Sequence, residues 1–488
     1  MNIPPAFLES LKEASETILE KTEGIIKILS HHDADGLAAA AIMGRAICRA
    51  EGRPHIRIVQ QLERAAIDEL ETDNSALIIF LDFGSGQLEA LSRLTHKKLV
   101  ICDHHPPVPP STRAAPEGII HVNPHLFGVD GTTEISGSGV TYLVAREMAP
   151  SNTKMADIAL VGALGDRQDR GTKSSVVGLN RTILDWGIQE EILEESLDLR
   201  FFGRETRPIH VCIEYTTDPF IPGLTGNREK CLKFLEDAGI EPKEGEKWRT
   251  LLDLSQEERT ILVTNLVVHM LEYGMDTIQA EQIVGTVYSL LKEQPNSPLR
   301  DAREYAALLN ACGRIHHPGL GVAVAMHDRS ENFRLAVNTA KEYRRKLAVA
   351  IGYLLENPRM IREDKKSFRY FIGNEIIDHT IVGTIASIAI SSRIVPNEKP
   401  LFGLAETGEG TIKVSARGTH ELVKKGLDLG AVLRDVVALE PITGEAGGHD
   451  IAGGARIPQG KEETFLNRLE TALLRQIESE VKETKEDA

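Results

Sequence analysis

The sequence is poor in cysteine, in long apolar runs and in excess positive charge, and each shortage excludes a class of protein. Five cysteines occur among 488 residues, and no two of them form a CxxC pair. This spacing argues against a disulfide framework and a zinc cluster, and is typical of the reducing cytoplasm. No apolar stretch approaches the roughly 20 residues of a membrane-spanning helix. The first residues also lack the basic flank and apolar block of a signal peptide. We therefore expect a cytoplasmic protein with no membrane partner.

The net charge of −16 argues against a protein that coats duplex nucleic acid by charge alone. It leaves room for a local basic groove, because affinity depends on where the charges lie. The apolar content of 41% and the charged content of 26% are ordinary for a soluble globular chain. A chain of this length exceeds one ordinary core, so we expect two or three domains.

The first part of the chain alternates between apolar runs and helical patterns. Such alternation indicates βαβ units and an α/β fold with a parallel sheet. The predicted strands are 25–30, 55–60, 76–81, 98–102 and 119–122, and the helices between them are 36–50, 62–71 and 86–94.

Acidic residues and histidines follow these strands and one later helix. Asp33 and Asp35 are separated by one residue, so in an extended segment both carboxylates point the same way. Two carboxylates that close repel each other unless a cation lies between them. If adjacent parallel strands each deliver such residues, six side chains converge at one edge of the sheet: His31, Asp33, Asp35, Asp82, His104 and Asp166. Five or more carboxylate and imidazole ligands suit a pair of ions such as Mn²⁺ or Mg²⁺.

Simpler interpretations exist for each residue alone. An aspartate after a strand is usually a turn or cap residue, and His316-His317 is typical of a loop. Gly84-Ser85-Gly86 and Gly137-Ser138-Gly139 lack a full GxGxxG pattern, so turns and helix starts explain them better than nucleotide loops. The metal interpretation is supported by the residues taken together, because four separate strand or helix ends carry the required residue types in order.

Four short motifs resemble those of the DHH phosphoesterase superfamily, in the correct order. They are His31-x-Asp33-x-Asp35-Gly36, Leu81-Asp82, Asp103-His104-His105 and Gly162-Ala163-Leu164-Gly165-Asp166. Further stretches resemble RecJ-type nucleases and the DHH-associated domain, namely Asn123-Pro124, Ser136-Gly137-Ser138-Gly139-Val140, Leu309-Asn310-Ala311-Cys312-Gly313-Arg314, Ser415-Ala416-Arg417 and Gly447-Gly448-His449-Asp450-Ile451-Ala452-Gly453-Gly454. In its size and its helical insertion, the chain most resembles archaeal RecJ-like proteins, which include a GINS-associated nuclease.

The resemblance implies a parallel-sheet DHH domain with a helical insertion, linked by a long helix to a smaller α/β DHH-associated domain. Residues 1–204 would form the first part of the DHH domain and hold the metal site, and 205–300 would form the mostly helical insertion. Residues 301–356 would complete the DHH domain and form the bridging helix, while 357–488 would form the substrate-binding domain.

The resemblance also implies roles for the residues of the site. One ion would be held by His31, Asp33 and Asp82, and the other by Asp35, Asp82, His104 and Asp166, with Asp82 bridging. His105 would face the scissile phosphate and Asp103 would orient the histidines. Bacterial RecJ enzymes carry Asp where this chain has His31, and imidazole suits Mn²⁺ slightly better than Mg²⁺. Spacing leaves open whether His31 or His32 is the ligand, and we favour His31.

Contact with substrate is expected from six further residues that the resemblance singles out: Arg314, Ser415, Arg417, Gly447, Gly448 and His449. Glycines let backbone amides approach a phosphate, and arginine can bind one in a bidentate manner. Basic clusters could follow a single strand, with Phe368 or Tyr370 as stacking platforms. These clusters are Lys341, Arg344, Arg345 and Lys346, and Arg359, Arg362, Lys365, Lys366 and Arg369.

The function implied by the resemblance is a metal-dependent exonuclease for single-stranded nucleic acid. DNA digested from the 5′ end is the first expectation, RNA the second, and GINS and the replisome are the expected partners. A second hypothesis is a replisome scaffold like the related eukaryotic helicase component, which has lost its metal ligands. All ligand positions are filled here, which favours catalysis. A third hypothesis is a phosphodiesterase for short oligonucleotides or cyclic dinucleotides, although such chains are shorter and lack the insertion.

Overall fold

The structure is a computed structural model that describes residues 3–60, 62, 64–94, 96–107, 116, 118–216, 219–392, 394–408 and 410–486. The chain divides into two compact units, residues 1–341 and 342–488. Each unit has a five-stranded sheet. The α/β fold class predicted from the sequence is therefore confirmed.

The elements of the first unit follow the predicted alternation. In chain order they are α1 (Pro5–Glu20), β1 (Ile25–His31), α2 (Ala34–Arg49), β2 (Arg53–Val59), α3 (Arg64–Glu71), β3 (Leu77–Leu81), α4 (Leu88–Leu91), β4 (Leu99–Cys102), β5 (Ile119–Val122), α5 (Gly137–Met148), α6 (Ala156–Gly165), α7 (Gly178–Gln189), β6 (Leu193–Leu199), α8 (Ile209–Tyr215), α9 (Arg228–Asp237), β7 (Lys243–Glu244), β8 (Lys247–Trp248), α10 (Gln256–Glu272), α11 (Thr277–Glu281), β9 (Val284–Leu290), α12 (Ala302–Arg314) and α13 (Pro318–Ala325). The long helix α14 (Glu331–Glu356) contains the division between the units.

The main sheet of the first unit is entirely parallel, with strand order β2-β1-β3-β4-β5. Strands β3 and β4 are buried along their whole length, because side chains pack on both faces of the sheet. Three neighbouring strands, β1, β3 and β4, therefore end side by side. The residues that follow them come to one edge.

The turn between β1 and α2 is tight. Asp33 caps α2 by accepting the backbone N–H of Gly36 at Oδ1, over 3.0 Å. A side chain at position 36 would overlap the carbonyl oxygen of His31, so the turn requires glycine there. The helix that follows is almost completely buried, which its run of alanines permits.

The insertion has a hydrophobic core of its own, built from residues between Leu199 and Ile283. Helices α8 to α11 supply much of this core, as the sequence predicted. A two-stranded antiparallel ribbon of β6 and β9 lies at the root of the insertion, and the sequence analysis did not predict it. The described cysteines are all free.

An ion network lies at the same root. Asp198 on β6 contacts the guanidinium of Arg204 at 2.7 Å and that of Arg259 at 3.1 Å. The Arg204 side chain is 6% exposed, and it also lies 3.8 Å from Asp301, next to α12. These contacts fasten the insertion to the DHH domain.

The second unit is a smaller α/β domain. Its elements are β10 (Arg369–Ile372), α15 (Val382–Ser391), β11 (Leu401–Glu406), β12 (Thr411–Arg417), α16 (His420–Val423), α17 (Leu429–Val437), β13 (Glu445–Gly448), β14 (Ala452–Pro458) and α18 (Glu462–Glu486). The strand order is β10-β11-β12-β14-β13, in which only β10 and β11 are parallel.

Two aromatic residues proposed from the sequence as stacking platforms lie in the core of this unit instead. Phe368 is fully buried and Tyr370 is 9% exposed, and both pack with Phe402. The expectation was wrong because the surrounding basic residues suggested a surface segment. Both rings lie in an apolar core with residues of α17 and α18, such as Leu433 and Phe465.

Candidate metal centre

Four chain segments bring acidic and histidine side chains to the carboxyl end of the parallel sheet. His31 is the last residue of β1, Asp82 follows β3, and Asp103-His104-His105 follow β4. Asp166 caps the C-terminus of α6. The six predicted ligands lie together with His105, in three overlapping groups whose ligand atoms are within 4.8 Å of one another: Asp82, His104 and His105; His31, Asp33 and Asp82; Asp35, His104 and Asp166.

Asp82 lies at the middle of this cluster. Its Oδ2 is 3.4 Å from Nδ1 of His31, and its Oδ1 is 3.3 Å from Nε2 of His104. The residue has a φ of 63°, in the left-handed region that few residues other than glycine adopt. Strained backbone of this kind persists where the surrounding structure enforces it, and it is common at functional sites. The carboxylate thus presents one oxygen to each side of the cluster.

The group on one side of Asp82 contains His31 and Asp33. Nδ1 of His31 lies 2.9 Å from Oδ2 of Asp33, whose other oxygen caps α2. Among the described residues, the groups able to hold a metal include His31 and not His32. The geometry therefore favours His31 over its neighbour.

The group on the other side contains Asp35, His104 and Asp166. Nε2 of His104 lies 3.7 Å from Oδ2 of Asp166 and 3.9 Å from Oδ2 of Asp35. Nδ1 of the same ring is 2.6 Å from the carbonyl oxygen of Gly131, so we assign the ring proton to Nδ1. That tautomer leaves the Nε2 lone pair facing the carboxylates, as a metal ligand requires.

The N-terminus of α5 holds Asp35. The backbone N–H groups of Gly137 and Ser138 donate to the two oxygens of Asp35, over 2.7 Å and 3.0 Å. A Cβ at Gly137 would lie 2.5 Å from Oδ1 of Asp82, and a Cβ at Gly162 would lie 2.5 Å from Oδ1 of Asp35. Glycine at both positions lets backbone approach the carboxylates closely.

The residues of the cluster fit a metal. Nδ1 of His31, both oxygens of Asp82 and Nε2 of His104 are buried, and they lie 2.9 to 3.4 Å from groups of the same cluster without forming well-aligned hydrogen bonds to any described residue. Buried polar atoms are normally paired, so four such atoms in one cluster fit a bound cation. Carboxylate and imidazole together suit Mn²⁺ and Mg²⁺.

The pKa values of the cluster also fit a site for a cation. Burial, with the nearby Asp33 and Asp35 carboxylates, raises the pKa of Asp82 to about 7. Burial also raises the pKa of Asp166 to about 6, despite the opposing effect of His104. Burial alone would lower the pKa of His104, but the surrounding carboxylates raise it well above its ordinary value. Crowded carboxylates favour protons when no cation is present.

Asp103 and His105 form a pair beside the cluster. Oδ1 of Asp103 lies 2.8 Å from Nδ1 of His105 and accepts the backbone N–H of the same residue. Its Oδ2 accepts the N–H of Ser85, whose hydroxyl is hydrogen-bonded to Asn123. The Asp103 carboxylate is buried and the His105 ring is 37% exposed, so a buried anion orients a solvent-facing imidazole. The sequence pattern predicts Ser85 only as part of a turn.

The C-terminal end of α12 lies against the turn between β1 and α2. Oδ1 of Asn310 accepts the backbone N–H of Ala34 over 3.0 Å, and a side chain at Gly313 would overlap the carbonyl oxygen of His32. Arg314, a predicted substrate contact, is the last residue of this helix and is half-buried.

The other predicted substrate contacts lie in the second unit, on strands β12 and β13 and in the turn that follows β13. Ser415 on β12 pairs with Gly454 on β14, and Gly454 pairs with Gly447 on β13. Gly448 ends β13, and His449 follows it in an exposed turn. The glycine-rich stretch is therefore a hairpin in which β14 separates the glycines from Ser415.

Arg417 is held in place by its neighbours in the second unit. Its Nε donates to Oγ of Ser387 over 2.7 Å, and its Nη1 donates to the carbonyl oxygen of Ala416. A Cβ at Gly383, near the start of α15, would lie 3.2 Å from Nη2 of Arg417. Glycine there lets the guanidinium lie beside the helix.

Several residues of the predicted basic clusters are engaged in ion pairs. Lys346 pairs with Asp378, Lys365 with Glu470 and Arg369 with Glu363, at distances of 2.5 to 3.6 Å. Because their charges are partly neutralised by these ion pairs, the three cations should attract a nucleic acid less strongly than their number in the sequence suggests.

Three family models match the chain in the order that the fold shows. The N-terminal domain of the DHH family matches residues 25–163, the DHH-CID domain matches 201–284 and the DHHA1 domain matches 369–475. The chain belongs to the DHH superfamily of phosphoesterases. Its DHH-CID match falls on the insertion, and its DHHA1 match falls on the second unit.

This DHH protein also has a relative along nearly its whole length. An uncharacterised protein of Methanocaldococcus jannaschii is 30% identical over 477 residues, which cover 96% of this chain and 99% of the relative.

Solved structures show that the fold is RecJ-like. RecJ from Thermus thermophilus, solved with Mn²⁺, matches 96% of the DHH chain with a TM-score of 0.57 and 17% identity. The chain spans 55% of the length of that RecJ. CDC45 from Entamoeba histolytica matches 96% of the chain and 99% of its own length, with a TM-score of 0.67 and 12% identity. Among the described residues, no helix has the length and apolar content needed to cross a membrane.

Proposed function

We propose that this DHH phosphoesterase is a metal-dependent exonuclease for single-stranded nucleic acid. It would hydrolyse one phosphodiester at a time from the 5′ end of DNA, with RNA as a second substrate, in DNA replication or repair. The observation that carries the proposal is the complete ligand cluster. Its central atoms on His31, Asp82 and His104 are buried and form no well-aligned hydrogen bonds to any described residue. A chain that served only as a scaffold would have no need to keep these atoms unpaired.

Two divalent cations would occupy the cluster, with Mn²⁺ preferred to Mg²⁺. His31, Asp33 and Asp82 would hold one ion, and the other would take Asp35, Asp82, His104 and Asp166. Such ions, when bound, polarise a phosphoryl group and stabilise the negative charge that develops on it. RecJ from Thermus thermophilus has been solved with Mn²⁺ and with Mg²⁺, which supports a divalent cation at this site.

The other side chains would bind and orient the substrate. Asp103 fixes the ring of His105 through the 2.8 Å contact, so the exposed imidazole can meet a phosphate without first being ordered. In the second unit, Ser387 holds the guanidinium of Arg417. Further contacts with phosphates are proposed for the remaining residues of this set: Arg314, Ser415, Gly447, Gly448 and His449.

Hydrolysis of labelled oligonucleotides tests the proposal. Wild type and Asp82→Asn would be incubated with 5′-labelled or 3′-labelled single strands, as DNA and as RNA, with Mn²⁺ or Mg²⁺. Asp185→Asn makes the same chemical change at an exposed position of the first unit and is the matched control. We expect the wild type and the control to release mononucleotides, and Asp82→Asn to lose at least about 100-fold in rate.

The same assay separates the alternatives. Release of labelled mononucleotide from the 5′-labelled strand at the earliest times supports digestion from that end. Equal rates on dinucleotides and on long strands would favour a phosphodiesterase for short oligonucleotides or cyclic dinucleotides. Unchanged turnover in Asp82→Asn would overturn the two-metal assignment.

A replisome partner is the second candidate, and the match to CDC45 is the observation that favours it. We propose that the chain binds GINS while remaining an active nuclease. Co-purification of the tagged full chain with GINS from its own source would test this. A native pull-down without GINS would contradict the partnership and leave the nuclease proposal standing.

A further inference from the structure

Gln168 lies two residues beyond Asp166 and has no role in the function proposed above. Its side chain is completely buried. Arg167, between the two residues, has a φ of 58°, and the backbone N–H of Gln168 returns to the carbonyl oxygen of Ala163. This left-handed turn places the amide of Gln168 beneath the cluster.

One amide group contacts two candidate ligands. Nε2 of Gln168 lies 3.2 Å from Oδ2 of Asp166 and 3.3 Å from Nδ1 of His104. The same nitrogen donates to the carbonyl oxygen of Gly131 over 2.9 Å. That carbonyl is also the acceptor for Nδ1 of His104, so Gln168 and His104 share one anchor.

The orientation of the amide is fixed by a second buried residue. Nδ2 of Asn180, on α7, donates to Oε1 of Gln168 over 2.7 Å. Rotating the amide by 180° would set its oxygen against a carboxylate and a carbonyl, and would set two NH₂ groups against each other. The hydrogen-bond pattern therefore assigns Nε2 to the side of the cluster.

We propose that Gln168 is a positioning residue for one of the two ions, which rests on the metal site proposed above. The bond to Asp166 restrains a side chain that is 35% exposed and whose other contact in the cluster is Nε2 of His104, at 3.7 Å. The amide of Gln168 and the Nδ1–H of His104 both donate to the carbonyl oxygen of Gly131, so one acceptor holds the amide and the ring side by side. Residues that orient metal ligands in this way typically contribute 10- to 100-fold in affinity.

The effect of losing Gln168 should be selective, because its contacts with the candidate ligands fall on one side of Asp82. They reach His104 and Asp166, which belong to the second group of ligands. Loss of the amide should weaken the ion held by that group. The ion held by His31, Asp33 and Asp82 should keep its affinity.

Gln168→Met tests this inference, since methionine has a similar length and lacks the hydrogen-bonding amide. Tyr142→Phe is the matched control, because it removes a buried hydroxyl bonded to Thr153 without touching a candidate ligand. Mn²⁺ binding would be measured by calorimetry and by electron paramagnetic resonance, and melting temperature would be measured without metal. We expect two Mn²⁺ sites in wild type and control, and a 10- to 100-fold weaker second site in Gln168→Met.

Activity against Mn²⁺ concentration gives a second readout. A positioning role predicts that high Mn²⁺ restores most of the kcat of Gln168→Met, because the ion compensates for the lost restraint. Asn180→Ala removes the hydrogen bond to Oε1 of Gln168 and should weaken Mn²⁺ binding at the same site by a smaller factor. This variant tests the inference if Gln168→Met does not fold.

Two results would overturn the inference. One is wild-type affinity at both sites in a folded variant, and the other is equal weakening of both sites together with a lower melting temperature. A wild-type chain that binds no Mn²⁺ would overturn the proposed function itself, and the inference with it.

Discussion

Gly137 donates its backbone N–H to Oδ2 of Asp35 over 2.7 Å, so the first turn of α5 holds a carboxylate from the first turn of α2. The positive end of the helix dipole favours the negative charge there. The contact is as short as a charge-assisted hydrogen bond. It depends on the absence of a side chain at position 137.

Gly137→Ala should therefore damage the metal centre. The added Cβ would lie 2.5 Å from Oδ1 of Asp82, so either α5 or the carboxylate must move. We expect Mn²⁺ affinity to fall by at least about 10-fold, as measured by calorimetry. Gly319→Ala on α13 is the control, because no atom lies within 4 Å of the added Cβ. Equal loss in both variants would contradict the steric argument.

Asp82→Asn should change how the stability of the metal-free chain depends on pH. The folded pKa of Asp82 is raised to about 7, so its stabilising contribution is complete below the unfolded value and is lost as pH rises through 7. Asparagine does not titrate, and it tolerates the left-handed backbone at this position. The free energy of unfolding of the variant should rise relative to that of the wild type by up to about 1.4 kcal/mol for each pH unit between about 4 and 7.

Melting temperatures at pH 5, 6, 7 and 8 in the presence of a chelator would check this expectation. Asp185→Asn, which changes an exposed carboxylate, supplies the baseline. A constant difference between Asp82→Asn and the wild type across this range would show that the cluster does not hold a proton.

Asp198→Ala should destabilise the root of the insertion. The change leaves Arg204, with its 6% exposed side chain, and Arg259 without their shared carboxylate. Removing one partner of a buried ion pair costs about 2–3 kcal/mol when other charges compensate in part. Thermal unfolding followed by calorimetry would measure the loss. Arg334→Ala, at an exposed ion pair on α14, should leave the transition unchanged.

Gly352→Ala should stabilise the protein. The glycine lies inside α14, and no atom lies within 4 Å of an added Cβ. Alanine in a helix interior is favoured over glycine by about 0.5–1 kcal/mol. Gly178→Ala should do the opposite, because Gly178 has a φ of 60° and the new Cβ would overlap Glu134. Chemical unfolding of both variants beside the wild type would test the pair.

The main sheet could be predicted from the sequence because its strands are continuous apolar runs that end in polar residues. Strands β3 and β4 end where their apolar residues end, so Asp82 follows the first directly and Asp103-His104 follow the second. Ordinary strand geometry then brings them together. For this physical reason, the sequence was enough to predict that the candidate ligands lie close together.

Other features depend on contacts that no local pattern reveals. Strand β6 contains Glu194, Glu195 and Asp198, which are uncommon in strands, and its partner β9 begins 85 residues after β6 ends. Gln168 resembles any polar residue in a loop until the fold buries it beneath Asp166. The prediction for Phe368 failed for the converse reason. Its basic neighbours suggested an exposed segment, but the ring is fully buried.

The unpaired buried atoms of the ligand cluster have a consequence for the lifetime of the chain. Metal bound only by the folded state shifts the equilibrium away from opened forms. Proteases in cells degrade those opened forms, so newly made molecules that have not found an ion should be cleared faster than loaded ones. The abundance of the protein would then follow the supply of its metal, without any dedicated sensor.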